Sequence, residues 1–306
     1  MSAVLQENRP HAASANAAAA APADFEIRRL DAPFGAEVLG LDLNQPLGEA
    51  DFERLQRAHW EHHVLVFRDQ RITPAQHVAF SRRFGPLQIH VQKKFQLDGH
   101  PEVLIVSNIR DAQGEPIGLG DAGAFWHSDL SYKDKPSLGS LLHAQELPGV
   151  GGDTLFADQH AAYESLPEAL QARIATLQAE HSYLARYEEL RQRNPWRPKL
   201  TPEQVAEVAP AVHPVVRTHP ATGRKALFVS EHFTTRIIGL PEDESQALLA
   251  ELFAASVRED FVYRHAWLPH DLVFWDNRSV VHLASGTPDS ERRKLYRTTV
   301  EGDTPH

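Results

Sequence analysis

Trp126-His127-Ser128-Asp129 is one half of a pattern, and Trp275-Asp276-Asn277-Arg278-Ser279-Val280-Val281-His282, far downstream, is the other. In extended backbone, a histidine and a carboxylate two positions apart point to the same face. Two rises of about 3.3 Å place their Cα atoms roughly 6–7 Å apart, so both side chains reach one ion. His282 closes a strand–turn–strand unit, and an arginine-rich strand follows. Two histidines and one carboxylate on one side of a metal, with the other side open, are the ligand set of non-haem Fe(II) oxygenases. The same set also serves zinc hydrolases.

Working outward, Val64-Leu65-Val66-Phe67 reads as a buried strand, preceded by a helix over Asp51–His62 with Phe52, Leu55 and Ala58 at helical spacing. Thr73-Pro74 supplies an N-cap and a proline at the first helical position of a helix ending near Gly85. Ser165-Leu166-Pro167-Glu168 reads as a capping box opening a helix to about Ala179. Tyr187 to Ala211 is polar and punctuated by prolines, with short helical pieces at best, and is a candidate lid. Glu242 to Val257 is an amphipathic helix. Strands are expected at Val103–Val106, Ala226–Val229, Phe261–Trp267, Leu272–Trp275, Val280–His282 and Lys294–Val300. Short strands with few helices between them favour an antiparallel barrel or sandwich over a parallel sheet. Residues 1–24 read as an alanine-rich, mobile tail without the marks of a signal peptide, and residues 25–306 as one domain.

The 306 residues suffice for a substantial core, and 42% hydrophobic content marks a globular chain. A net charge of -10 argues against a nucleic-acid partner held through phosphates. No stretch approaches the roughly 20 apolar residues of a membrane span. With no cysteine, disulfides and thiolate metal sites are excluded, and a reducing cytoplasmic setting is compatible.

The last strand is informative in itself. In Arg292-Arg293-Lys294-Leu295-Tyr296-Arg297-Thr298-Thr299-Val300, alternation places Arg293, Leu295, Arg297 and Thr299 on one face. If that face points inward, two guanidiniums enter the barrel about 13 Å apart along the strand. Buried arginines need anions.

These pieces resemble the taurine dioxygenase / 2,4-dichlorophenoxyacetate dioxygenase family of Fe(II)- and 2-oxoglutarate-dependent oxygenases. The likeness runs from Phe25 to Asp303. Besides the runs already quoted, it rests on Val64-Leu65-Val66-Phe67-Arg68-Asp69-Gln70, Phe84-Gly85-Pro86-Leu87, Gly151-Gly152-Asp153-Thr154 and His213-Pro214-Val215-Val216-Arg217-Thr218-His219-Pro220. The resemblance implies a mainly β fold with flanking helices, a double-stranded β-helix of the jelly-roll, cupin-like kind. It implies iron held by the catalytic residues His127, Asp129 and His282, with 2-oxoglutarate and O₂ as co-substrates. Thr154 and Arg293 would hold the far carboxylate of 2-oxoglutarate. Arg297 would grip the substrate anion, with His90, Tyr187 and Phe233 also facing the substrate. A homo-oligomer in the cytoplasm, acting on a small anionic organic molecule with neither nucleic acid nor membrane as partner, is the implied setting. His181, His213 and His219 match family landmarks without a ligand role.

The substrate positions depart from the taurine pattern. Lys93, Gly123 and Arg186 stand where taurine enzymes carry tyrosine, asparagine and serine. A lysine near an ammonium group is unfavourable, which counts against taurine itself. The expected substrate is an organosulfonate, cleaved to sulfite and an aldehyde in sulfur metabolism. An alkyl sulfate ester or an aryloxy or other carboxylate is the alternative. A zinc hydrolase and a non-catalytic anion-binding barrel are remoter readings, and neither accounts for Thr154, Arg293 and Arg297 together.

Overall fold

A computed structural model describes residues 23–306, so residues 1–22 of the expected tail lie outside the described residues. The Ala23 amide already donates to Asp51 Oδ2 at 2.8 Å, and Phe25 is buried.

Val64–Phe67 shows why the fold takes its form. Every residue of this strand is buried. Val64 and Val66 pack on one side, against Phe156, Val280 and Trp275, while Leu65 and Phe67 pack on the other, against Leu55, Ala58 and Phe80. A strand covered on both faces reads as a continuous apolar run, and each such side chain contributes about 1.5–3 kcal/mol by leaving water.

That strand belongs to an eight-stranded sheet in the order Glu26–Arg29, Ala36–Leu39, Val64–Phe67, Leu272–Asp276, Ser137–Glu146, Lys294–Glu301, His100–Ser107, Gln96–Leu97. All its pairs are antiparallel except Ala36–Leu39 with Val64–Phe67. A second sheet orders Val262–His265, Thr154–Asp158 and Val280–Ala284. Phe156, Tyr263 and Val280 of this second sheet share a core with Leu142, Val273 and Leu295 of the first, so two sheets face each other as a jelly roll. Helices Glu49–His62 and Pro74–Arg82 cover the outer face of the large sheet.

Thr73 forms the expected cap, accepting from the Gln76 amide while Gln76 returns a bond to the Thr73 amide, and the helix stops at Arg82. The capping box expected at Ser165 does not form. The Ser165 hydroxyl donates back to Ala162 O in the preceding turn, Pro167 takes the N-cap, and the helix covers only Glu168–Ile174 before Gln178–His181 becomes a strand. The helix Leu184–Arg193 begins ahead of the candidate lid and runs into it, and the helix Pro202–Glu207, opened by a Thr201–Gln204 capping box, stands within it. The longest strand, Ser137–Glu146, carries no periodic pattern that marks it in the sequence, because it too is covered on both faces.

Candidate active site

The Trp275-Asp276-Asn277-Arg278 run is the turn by which the chain leaves the large sheet at Asp276 and enters the small one at Val280. Asp276 locks that turn by accepting from Arg278 Nε at 2.8 Å and from His219 Nε2, 57 positions away in the chain, at 3.0 Å. Asn277 ties the turn to the first half of the pattern. Its Oδ1 accepts from the Asp129 amide at 3.2 Å and from Trp275 Nε1 at 3.0 Å, while its Nδ2 donates to Ser137 Oγ at 3.0 Å.

The expected strand at His127 is reduced to a single bridge. His127 and His282 exchange both backbone hydrogen bonds, at 3.0 and 2.8 Å, and no further ladder forms. The consequence is close approach of side chains: the two imidazole centroids lie 4.1 Å apart. His127 Nε2 is 3.6 Å from Asp129 Oδ1, and His282 Nε2 is 3.9 Å from Asp129 Oδ2. One donor atom from each of the three buried residues falls within 4.8 Å of the others.

The protonation states suit a metal. His127 Nδ1 donates to Phe125 O at 2.9 Å; a carbonyl only accepts, so Nδ1 carries the hydrogen and Nε2 presents its lone pair. Burial, reinforced by the neighbouring His127, pushes His282 well below the ordinary imidazole value and keeps it neutral. Burial alone would raise the Asp129 carboxyl; Arg297 and the two histidines outweigh it and hold the group well below the ordinary carboxylate value. Ser140 Oγ donates to Asp129 Oδ2 at 2.6 Å and Arg297 Nη1 to Oδ1 at 2.8 Å.

Two cavities meet at this cluster and share His127, Gly123 and Arg297. One, of about 360 Å³, is lined by Thr154, Arg293, Trp275 and His282. Among the described residues Arg293 has no carboxylate within ion-pair distance, although it is only 7% exposed. Burial pushes its pKa down to about 10, so the site holds a buried cation still charged at neutral pH and in want of an anion. Thr154 Oγ1 accepts from Trp267 Nε1 at 3.1 Å, which leaves its own hydrogen to be donated into the cavity. Gly152 lets the arginine stem pass: a Cβ there would stand 3.1 Å from Arg293 Cδ, and its φ of +78° already favours glycine. An unpaired guanidinium beside a free hydroxyl donor fits the far carboxylate of 2-oxoglutarate, and two imidazoles with one ionised carboxylate fit Fe(II).

The other cavity, of about 440 Å³, is walled by Tyr132, Tyr183, Phe233 and His232, with His90, Arg197 and Arg297 as polar lining. His90 Nδ1 accepts from the Gln92 amide at 3.1 Å, and burial holds the ring neutral at a pKa of about 3. Tyr187 stands behind the wall, donating to Pro198 O at 2.6 Å and accepting from Gln92 Nε2 at 2.9 Å; Tyr183 takes the place at the cavity. Lys93 is exposed, and Arg186 lies over the Phe125 ring at 5.2 Å, paired with Glu189, so neither lines the cavity. Gly123 does, with a φ of +80°; a Cβ there would stand 3.6 Å from His127 Cε1.

The Taurine catabolism dioxygenase TauD, TfdA family model matches residues 26–299. The chain belongs to this family. Members similar to it include the alpha-ketoglutarate-dependent 2,4-dichlorophenoxyacetate dioxygenase of Cupriavidus pinatubonensis, 38% identical over 88% of this chain and 95% of that protein. The (S)-phenoxypropionate/alpha-ketoglutarate-dioxygenase of Sphingobium herbicidovorans is 36% identical over 91% and 96%. An alpha-ketoglutarate-dependent sulfonate dioxygenase of Saccharomyces cerevisiae is 31% identical over 92% of this chain and 68% of that protein. Among family structures, AAD-2 in complex with Mn(II) and N-oxalylglycine superposes with a TM-score of 0.76 at 34% identity, over 92% of this chain and 99% of that one. A taurine dioxygenase from Burkholderia xenovorans gives 0.75 at 33%, over 93% and 91%. As a TauD/TfdA family member with the geometry above, the protein is an Fe(II)- and 2-oxoglutarate-dependent dioxygenase.

Several residues of this site, Tyr132 and His232 of the cavity wall among them, escaped the sequence reading. Asn277 sat inside a quoted motif without a role. Ser140, Tyr183 and Arg197 carry no local signal, because only the fold brings them to the metal or the cavity.

Proposed function

We propose that this dioxygenase oxidises an organic acid bearing an aromatic ring, with aryloxyalkanoates as the substrate class. The observation that carries this reading is the composition of the larger cavity: aromatic walls from Tyr132, Tyr183 and Phe233, and a cation, Arg297, beside the metal ligands. Flat aromatic walls suit an aryl group, whereas a molecule as small as taurine leaves them unused. The phenoxy-acid enzymes among the similar proteins support it. The organosulfonate expected from the sequence becomes the second reading, favoured by the sulfonate dioxygenases among the relatives.

When bound, the iron supplies oxidation of a substrate C–H bond by O₂, coupled to conversion of 2-oxoglutarate to succinate and CO₂. His127, Asp129 and His282 would hold it. Arg293 and Thr154 grip the far carboxylate of 2-oxoglutarate by charge-assisted hydrogen bonds. Arg297 Nε has no partner among the described residues and anchors the substrate carboxylate, which fixes the carbon next to it towards the ligand cluster. His90 and Phe233 complete the pocket, and the aromatic wall with Tyr187 packed behind it excludes water. Hydroxylation of the carbon between the ether oxygen and the carboxylate gives a hemiacetal, which breaks down to a phenol and a keto acid.

The proposal includes residues 25–306 as one catalytic domain preceded by the alanine-rich tail, a homo-oligomeric assembly and a cytoplasmic location. No helix among the described residues is long and apolar enough to cross a membrane. The test is succinate formation with Fe(II) and 2-oxoglutarate across phenoxyacetate, 2,4-dichlorophenoxyacetate, 2-phenylethanesulfonate and taurine. Phenol release with the highest kcat/KM supports the reading; sulfite release from either sulfonate at a higher kcat/KM overturns it.

A further inference from the structure

The substrate cavity contains a second cation with no part in the reaction described above. Arg197 lies between the helices Leu184–Arg193 and Pro202–Glu207 and is 6% exposed. Its Nε and Nη2 each donate to the Asp121 carboxylate at 2.6 Å, and Asn194 Nδ2 adds a third bond to that carboxylate at 2.7 Å. The remaining nitrogen, Nη1, is buried without a partner among the described residues. Tyr183, 8% exposed, lines the same cavity; its buried hydroxyl forms no hydrogen bond within 3.5 Å, and its polar neighbours are Gln92 and Arg197 itself, so the two groups converge on one place. Tyr187, by contrast, has its hydroxyl fully employed by Pro198 and Gln92.

Buried donors without acceptors are costly, and two of them converging at the wall of the substrate cavity can be satisfied by an acceptor on the substrate. Arg197 and Arg297 line the same cavity but are held by different carboxylates, Asp121 and Asp129. Asp121, unlike Asp129 beside Arg297, has no metal to offset it and cancels the charge of Arg197, so this pair offers hydrogen bonds without a net positive field. That favours a neutral oxygen over a second carboxylate, which Asp121 would repel.

We propose that Arg197 Nη1 and the Tyr183 hydroxyl form a specificity subsite for a neutral oxygen acceptor, such as a ketone or amide carbonyl, on the part of the substrate away from Arg297. This deepens, and rests on, the aromatic-acid reading. The preferred substrate is then an aromatic acid with a carbonyl-type substituent on its ring. Neither half of the subsite is visible in the sequence, because Tyr183 and Arg197 reach the cavity from just before and just after the helix Leu184–Arg193.

The test compares near-isosteric pairs: 4-acetyl- with 4-isopropylphenoxyacetate, and the same substituents on 2-phenylethanesulfonate. Binding is measured anaerobically by calorimetry on the protein loaded with Mn(II) and 2-oxoglutarate, and turnover as kcat/KM with Fe(II). The acetyl compound is expected to be favoured about tenfold or more in at least one series, since its rival leaves both donors unpaired. Tyr183→Phe, which keeps the ring, and Arg197→Gln are each expected to reduce that ratio several-fold. A 4-carboxyl substituent is expected to do worse than acetyl. Equal or better binding of the isopropyl compounds in both series overturns the subsite. So does an acetyl preference that survives in both variants, and so does absence of measurable binding by the acetyl compounds of both series. An acetyl preference confined to the sulfonates supports the subsite while overturning the aryloxy reading, which keeps the two failures apart.

Discussion

Arg297 Nη1 donates to Asp129 Oδ1 at 2.8 Å, so the cation expected to receive the substrate is bonded to a metal ligand. The sequence places these residues in separate roles, one on the iron and one on the substrate. The geometry couples them: a metal at the His–Asp–His face and an anion in the cavity both draw on this pair, one through the carboxylate and one through the guanidinium.

Arg297→Ala tests the coupling. Without metal, the variant leaves a buried carboxylate with less compensation, and removing one partner of a buried pair typically costs about 3–5 kcal/mol. Metal then replaces the lost positive charge. The rise in Tm on adding Mn(II) is expected to be larger in the variant than in the wild type, together with a higher KM for the prime substrate. An unchanged metal-dependent rise and an unchanged KM would show the pair to be incidental.

Arg293→Ala removes the only guanidinium in the smaller cavity besides the shared Arg297. Loss of a paired, charge-assisted contact worth about 2–3 kcal/mol raises the KM for 2-oxoglutarate roughly 100-fold. Thr154→Val, which removes one hydroxyl, should raise it about tenfold or less. Steady-state kinetics at saturating prime substrate measure both, and an effect confined to the prime substrate would reverse the division of labour between Arg293 and Arg297.

Ser140→Ala takes away the 2.6 Å hydrogen bond that orients Asp129 Oδ2. Loss of such a supporting bond typically weakens metal binding about 10–100-fold. Competition of the protein with a chromogenic chelator for Fe(II) or Mn(II) gives the number directly; affinity within a factor of two of wild type would contradict the role.

Acid should destabilise the protein through histidines remote from the metal. Burial pushes His59, His77 and His181 down to about 3 and His63 to about 4. The unfolded chain binds protons at these groups near pH 6.5 and the native chain does not, so stability is complete above that pH. It falls as the pH drops from 6.5 towards 4, by about 1.4 kcal/mol per pH unit for each histidine that stays neutral in the native state. Urea midpoints should therefore be flat between pH 7 and 8 and decline steeply between 6.5 and 5. Equal stability at pH 7 and pH 5 would mean that these rings are protonated in the native protein.

The local parts of the structure are legible in the sequence. Thr73-Pro74 caps a helix, Val64–Phe67 is buried on both faces, and Arg293 and Arg297 share an inward face, because capping, apolar runs and strand alternation depend only on near neighbours. Ser165 misled because its hydroxyl had two partners within reach, and the backward one, Ala162 O, won. The Ser137–Glu146 strand was missed because double-sided burial leaves no alternation to read.

The arginine-bearing strand thus followed from residue type and short-range periodicity, while the grouping of His127 and Asp129 with the distant His282 rested on the family resemblance. What only the tertiary structure decided is the company those residues keep. Ser140 and Arg297 come to Asp129 by way of two adjacent strands of the large sheet, and Arg197 meets Asp121 across 76 residues of chain. Lys93, suspect from its position in the sequence, faces solvent. Such contacts depend on how sheets and loops close in space, and no spacing rule along the chain encodes them.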